Sequence, residues 1–548
     1  MKIPSLLLGA SLSLPWVGAA ENIHARAQQI KAKHYQRSTK LVSRSIQSAT
    51  AEPSFLTEKT AKFVVNGTEI PQVPFDIGES YAGILPIQEG GNASDPNQLY
   101  FWFFPSQNPA AKKEIVIWLN GGPGCSSMEG LLQENGPFLW QPGTYTPAPN
   151  PYSWTNLTNV IYIDQPIGTG LSPSTEDAPL QITNETVVAK QFMGFWHNLV
   201  ETFDMQGYDI YLTGESYAGM YVPYIAYYML EANDTQYYNV KGIQINDPVI
   251  GHDTVQTLAP AAMHLNAYAN VFNLNKTFTE EVNARADSCG YTSWMEKALQ
   301  FPPAGPLPIP SGGEQPGCSV WGDIIEAAYY VNPCFNMYHL TDFCPFAWDV
   351  MGFAPSAGPN NFFNDSDVQK AINAPPTNFM ECGDPNLNLQ ADSSLPSALG
   401  PLPVVIERTN NVLIGHGMYD YLLLVNGTLA TIQNMTWHGK QGFQERPKDD
   451  FFVPYSSILT PLLQESAQQS FPEPYVGLVG GAGFMGTTHT ERGLTFVTVN
   501  NAGHEIPQYN PGAAYRQLEF LLGRIESLTQ QGDFTTETGN FTGTSPIV

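Results

Sequence analysis

Short apolar runs that end in turn residues recur along this chain. Ile115-Val116-Ile117-Trp118-Leu119 runs into Asn120-Gly121-Gly122-Pro123-Gly124, Val160-Ile161-Tyr162-Ile163 into Asp164-Gln165-Pro166, and Ile210-Tyr211-Leu212 into Thr213-Gly214. Val412-Leu413-Ile414 and Thr495-Phe496-Val497-Thr498-Val499 repeat the pattern near the end. Runs of this length without polar alternation predict strands buried on both faces, and their alternation with helical stretches predicts a mostly parallel α/β sheet. Functional loops of such a sheet lie where its strands end. Residues 51–250 and 401–548 are expected to form the two parts of this core. Between 251 and 400 the texture changes: four of six cysteines fall between Cys289 and Cys344, beside a Pro/Gly-rich run from Phe301 to Gly317. This stretch is expected to be a disulfide-bearing insertion that caps the core.

Composition then narrows the class. The 548 residues are 42% hydrophobic and 14% charged, which excludes a disordered or fibrous chain. Lys and Arg number 24 against 50 Asp and Glu, a net charge of -26 that argues against a nucleic-acid partner. The first 50 residues hold seven cations and one acid, so residues 51–548 carry 17 cations and 49 acids, net -32. Lys2, the apolar run from Leu6 to Trp16 and the small residues Val17-Gly18-Ala19 predict a secretory signal peptide over 1–19; the basic stretch 20–50 is expected to be a propeptide. No later segment reaches the roughly 18 apolar residues of a membrane span, and the polar tail from Gly532 to Val548 predicts no membrane or lipid anchor.

Ten Asn-x-Ser/Thr acceptors (Asn66, Asn92, Asn156, Asn184, Asn233, Asn275, Asn364, Asn426, Asn434, Asn540) fit a glycoprotein of the secretory pathway, extracellular rather than vacuolar. Cys125, Cys289, Cys318, Cys334, Cys344 and Cys382 would then form up to three disulfides. They lack the paired short spacings of a zinc site, so no metal is expected, and fifteen connectivities are open.

Candidate chemistry gathers at the strand ends. Gly214-Glu215-Ser216-Tyr217-Ala218-Gly219 lies between a short strand and a helix-like run from Tyr221 to Glu231, a placement that lifts the Ser216 hydroxyl clear of the sheet. The usual elbow has glycine where Ala218 stands; both are small. The order serine, acid, histidine selects Asp420 after the strand at 412–414 and His504 after the strand at 495–499. His416 is the rival in the Asp420 loop, but it precedes the acid. Asn120 to Ser127 lacks the Gly-Lys-Ser/Thr of a phosphate loop, which rejects nucleotide binding. In a hydrolase its backbone suits an oxyanion hole, with the N–H groups of Gly122 and Tyr217 converging on the developing charge.

Trp118 to Ser127, Glu134-Asn135-Gly136-Pro137, Asp164 to Gly170, Gly214 to Gly219 with Tyr221-Val222-Pro223, and Asn501-Ala502-Gly503-His504 together resemble the serine carboxypeptidase family, nearest its fungal carboxypeptidase S1 type. The resemblance runs from about residue 70 to 525. It implies an α/β-hydrolase fold and an exopeptidase acting on peptides and proteins with a free C-terminus, without cofactor. The substrate carboxylate would be held by Asn120, Gly121 N–H, Glu134 and Glu215. Two carboxylates facing a third would repel it, so one glutamate must keep a proton, its pKa raised by its like-charged neighbour, and activity should favour acidic pH. Glu505 stands where some members carry methionine, which points to a leaving-group pocket tolerant of a basic residue. Ile245-Asn246-Asp247-Pro248 departs from the usual Gly-Asn-Gly, leaving the penultimate-residue pocket open. By the same resemblance Cys125 pairs with Cys382, and the remaining four are expected to nest, Cys289 with Cys344 and Cys318 with Cys334. An acyltransferase or esterase on the same scaffold, or a catalytically silent secreted glycoprotein, are the rival readings.

Overall fold

The computed structural model describes residues 54–92, 94–173, 182–345, 347–352, 361–383, 392–456 and 481–538. The expected signal peptide, propeptide and Asn540 lie outside these. The described residues belong to a unit spanning Ala51–Tyr455 and Gly477–Val548, apart from Ser456.

Its scaffold is an eleven-stranded sheet. The strands are β1 (Val64–Val65), β2 (Ser80–Pro86), β3 (Gln98–Phe104), β4 (Glu114–Leu119), β5 (Asn159–Asp164), β6 (Asp209–Glu215), β7 (Val240–Asn246), β8 (Val412–Gly417), β9 (Asp449–Val453), β10 (Gly483–Glu491) and β11 (Leu494–Val499), in the order β1-β2-β3-β5-β4-β6-β7-β8-β11-β10-β9. The six central strands β5-β4-β6-β7-β8-β11 are parallel, and antiparallel strands flank them on each side. All five apolar runs of the sequence therefore lie in the parallel centre, where both faces are covered and every residue of β4, β5 and β8 is buried. The outer strands β9 and β10 expose part of their surface and carry mixed polar residues, so their apolar signal is weaker.

Helix α1 (Glu185–Phe203), capped by Asn184, and α2 (Ala218–Ala232), which begins two residues after Ser216, pack their apolar faces into the core beneath this sheet. Between β7 and β8 the described chain adds no strand. It supplies α3 (Lys276–Ser288), α4 (Tyr291–Ala298) and α5 (Val320–Val331), which share a second apolar cluster with Cys289, Cys318 and Tyr421. This arrangement corrects two disulfides. Cys125 pairs with Cys382 as expected, but the other pairs are Cys289–Cys318 and Cys334–Cys344, not the nested set. Cys289 ends α3 and Cys318 precedes α5. Their helices pack together, with Tyr291 donating to Cys318 O at 3.1 Å, while Cys334 and Cys344 close a local loop after α5. Among the described residues no helix is long and apolar enough to cross a membrane.

Candidate active site

Ser216 follows β6 directly and adopts φ +60°, a left-handed conformation that a non-glycine residue holds only at a cost of about 1–2 kcal/mol. Its N–H donates to Asn246 O, and its carbonyl accepts from Gly219 and Val249. These bonds tie the turn to β7 and to the start of α2. A Cβ at Gly214 would lie 2.2 Å from Leu119 O, and one at Gly219 would lie 2.4 Å from Val249 O. Close backbone packing is thus carried by Gly214 and Gly219, which is why Ala218 is tolerated at the position where glycine is usual.

The glycine loop after β4 lies against this turn. A Cβ on Gly121 would stand 2.4 Å from Tyr217 N and 2.8 Å from Ser216 Cβ, so only glycine permits the approach. Gly122 (φ +105°), Ser216 and Tyr217 keep some exposure in otherwise buried surroundings. The far end of the loop is fixed by buried Asp164, which accepts from Ser126 Oγ (2.7 Å), Ser127 N (2.8 Å) and Leu171 N (2.7 Å). The Asp164–Gly170 motif therefore braces the glycine loop. The Cys125–Cys382 bridge, with Ser126 N donating to Glu381 O and Gly383 N to Gly124 O, joins it to the insertion.

His504 and Asp420, at the ends of β11 and β8, are fully buried, with Nδ1 2.8 Å from Asp420 Oδ2. Asp420 Oδ1 accepts from the N–H groups of Leu422 and Leu423, which locks the carboxylate. Burial is the largest single influence and lowers the His504 pKa, but the charge and hydrogen bond of Asp420 together with the charges of Glu505 and Glu134 outweigh it, and the net shift is upward. Nε2 of His504 is buried with no hydrogen-bond partner among the described residues. The His504 N–H donates to Tyr338 O at 2.7 Å, and the Tyr338 ring stands edge-on to the imidazole, so the insertion packs on this loop. His416, the rival, turns its Nε2 to Leu423 O at 2.9 Å.

Asn120, 1% exposed, organises the acidic end of the site. Its Oδ1 accepts from Trp118 Nε1 (2.7 Å) and Gly130 N (3.1 Å), which aims its Nδ2 at Glu134 Oε1 and Glu215 Oε1, both at 3.1 Å. The second oxygens of Glu134 and Glu215 are buried and unpartnered among the described residues. Burial, more than like charge, pushes Glu134 up to about 7; for Glu215 burial leads and the charges of Glu134 and Glu505 add to it. The sequence argument anticipated the direction but put the neighbour's charge first. Two further acids belong here that sequence reasoning passed over. Glu129, whose carboxylate is 3.4 Å from Asn120 Nδ2, and Glu381, beside Cys382, are both raised by burial and then by surrounding acids, Glu505 among them. Glu129 sits one helical turn ahead of Glu134, and Glu381 was reachable through the Cys125–Cys382 pairing.

The order, the turn and the paired glutamates can be set beside known proteins. A family profile described as "Serine carboxypeptidase" matches residues 71–523. The chain belongs to the serine carboxypeptidase family. It is 53% identical over 483 residues to a "Carboxypeptidase Y homolog" of Arthroderma benhamiae, covering 87% of this chain and 90% of that one. It is 41% identical over 508 residues to "Serine-type carboxypeptidase F" of Aspergillus niger, covering 90% and 92%. The crystal structure of Kex1Δp, a prohormone-processing carboxypeptidase from Saccharomyces cerevisiae, shares the fold with a TM-score of 0.63 at 23% identity, covering 84% of this chain and 96% of that one. The serine carboxypeptidase is accordingly a hydrolase with an α/β-hydrolase core.

Proposed function

We propose that this serine carboxypeptidase uses Ser216, His504 and Asp420 as its catalytic triad. Ser216 Oγ attacks the carbonyl of the last peptide bond and His504 Nε2 takes its proton, then returns it to the leaving amino acid. Asp420 holds the Nδ1–H tautomer and steadies the imidazolium. The N–H groups of Gly122 and Tyr217 receive the oxyanion. Water then attacks the acyl-enzyme by the same route reversed.

Restriction to the C-terminal residue rests on one observation: a buried asparagine amide bridging two glutamates beside the serine turn. A substrate carboxylate placed against Asn120 and Gly121 N–H accepts from a protonated Glu134–Glu215 pair, an exchange that works only while the pair keeps a proton. The pair begins to lose its protons near pH 7, the region to which Glu134 is raised, while Glu215 is raised as well, so activity is favoured on the acid side and weakens as the pair deprotonates. Its lower limit is set by protonation of His504. Glu134 and Glu505 both raise His504 while charged, so their protonation at low pH lets the imidazole remain neutral further into acid. Glu505, 8% exposed and facing these acids, lines the pocket for the departing residue.

The three disulfides and the sequence's leader support passage through the secretory pathway, with delivery outside the cell. Among the acceptor asparagines Asn66, Asn92, Asn156, Asn233 and Asn275 are exposed and suited to glycosylation. Asn364 and Asn434 use both ends of their side-chain amides on backbone groups, of Phe379 and Leu307 respectively, and are poorer acceptors.

The assay is release of single amino acids from a blocked dipeptide with a free or amidated C-terminus. The free acid should be preferred by about 100-fold or more in kcat/KM, because the amide leaves the buried pair unmatched. Equal turnover of both, or ester turnover without peptide release, would favour the esterase or acyltransferase reading.

A further inference from the structure

His504 is not the only group that Asp420 meets. Beside Asp420 stands Asp247, the first residue beyond β7, in the tetrapeptide where this chain departs from the family's usual glycines. Both aspartates are fully buried. Asp247 is held in the left-handed region at φ +43°, its N–H donating to Gly415 O at 2.9 Å and its Oδ1 accepting from Gly417 N at 2.8 Å. One oxygen from each aspartate and one His416 nitrogen lie within 4.8 Å of one another. Asp247 Oδ2 receives no N–H or O–H among the described residues, although it is sealed from solvent.

Donor placement says which of the two carries a proton. Asp420 accepts from Leu422 N, Leu423 N and His504 Nδ1, whereas Asp247 accepts from Gly417 N alone. Two adjacent buried carboxylates would both ionise only with a compensating cation. The other groups facing them supply none. His416 Nε2 stands 3.5 Å from Asp247 Oδ1 and 3.9 Å from Asp420 Oδ2, but donates to Leu423 O, and burial holds its pKa down to about 4. His264, from the insertion, is held down to about 3 by burial, and Glu505 adds only negative charge. His504 is engaged by Asp420 itself.

We propose that Asp247 is a positioning residue whose neutral carboxyl donates from Oδ2 to Asp420, fixing that carboxylate as the acceptor of His504 Nδ1–H. The inference rests on the triad assigned above. Burial first, and the Asp420 charge second, hold the Asp247 pKa well above the usual carboxylate range. The hydrogen bond is thus present at low pH and is lost as pH rises through that raised value. It adds an alkaline fall to kcat, which reports the enzyme–substrate complex, separate from the Glu134 proton seen in kcat/KM of the free enzyme.

The test compares wild type, Asp247→Asn and Asp247→Ala by kcat and KM of a blocked dipeptide against pH, with fluorophosphonate labelling of each. An asparagine amide donates as the neutral acid does but cannot ionise. At about pH 5, Asp247→Asn should keep kcat within about threefold, while Asp247→Ala should lose about 10- to 100-fold in kcat with KM within about twofold, as for a lost buried hydrogen bond to a charged group. The alkaline fall of kcat should move to higher pH in Asp247→Asn. Equal losses in the two variants, or an Asp247→Asn kcat profile that superimposes on wild type, would overturn the assignment. Failure of the wild type to label at Ser216 would instead sink the triad reading beneath it.

Discussion

Replacing Ser216 by alanine is expected to lower kcat/KM on a blocked dipeptide by about 10⁴- to 10⁶-fold, the range for removing the nucleophile of a triad that acts as a unit. The loss should fall on kcat, with KM changed by only a few-fold, because the proposed carboxylate anchor at Asn120, Glu134 and Glu215 lies outside the substituted side chain. Folding should be little affected. Ser216 makes its structural hydrogen bonds through its backbone, to Asn246, Gly219 and Val249, and alanine must hold the same φ of +60° that serine holds now. Fluorophosphonate labelling should disappear with the hydroxyl. Residual turnover within tenfold of wild type would mean that some other group attacks the peptide.

The second large effect is expected at Asn120. Its side chain is a neutral amide donor held between Glu134 and Glu215, with its own carbonyl anchored by Trp118 and Gly130. Asn120→Ala leaves these carboxyls, and Glu129 beside them, without the donor that lets them share a confined space. Truncating one partner of a buried, charge-assisted network typically costs 2–5 kcal/mol, so kcat/KM for free-acid peptides should fall by about 10²- to 10³-fold. Turnover of a small ester that lacks a terminal carboxylate should fall far less, since among the described residues no hydrogen bond joins the Asn120 side chain to Ser216, His504 or Asp420. A uniform loss on both substrates, measured side by side, would mean that Asn120 supports the fold of the glycine loop and not recognition of the C-terminus.

How far the sequence carried depended on how local each signal was. Ser216, Gly121 and Gly122 sit in turns whose residues must be adjacent in sequence, so strand, turn and helix could be read together. Asp420 and His504 are 84 residues apart, and only chain order joined them; the fold brings their side chains to 2.8 Å. Five of the six parallel strands announced themselves because burial on both faces leaves unbroken apolar runs; β7, with Lys241 exposed and Gln244 inside it, did not. β9 and β10 did not, because each leaves residues exposed and reads as mixed polar chain. Cysteine pairing outside Cys125–Cys382 was illegible for a different reason: it depends on how α3 and α5 pack, which no spacing encodes. Glu129, Glu381 and Asp247 were missed as site residues because an acid gains its meaning from what it is buried against. Nothing in its neighbours along the chain marks Asp247 as the partner of Asp420.

The central claim is that one of two buried glutamates keeps a proton and gives a hydrogen bond to the substrate's terminal carboxylate. Glu134→Gln tests it most directly, since the amide donates without titrating. The measurement is kcat/KM against pH on a free-acid blocked dipeptide for wild type and Glu134→Gln. The account predicts that wild-type activity falls as pH rises through about 7, where Glu134 loses its proton, and that the variant keeps its activity to higher pH while remaining within about tenfold at the acid end. Coincident profiles would contradict the shared-proton site.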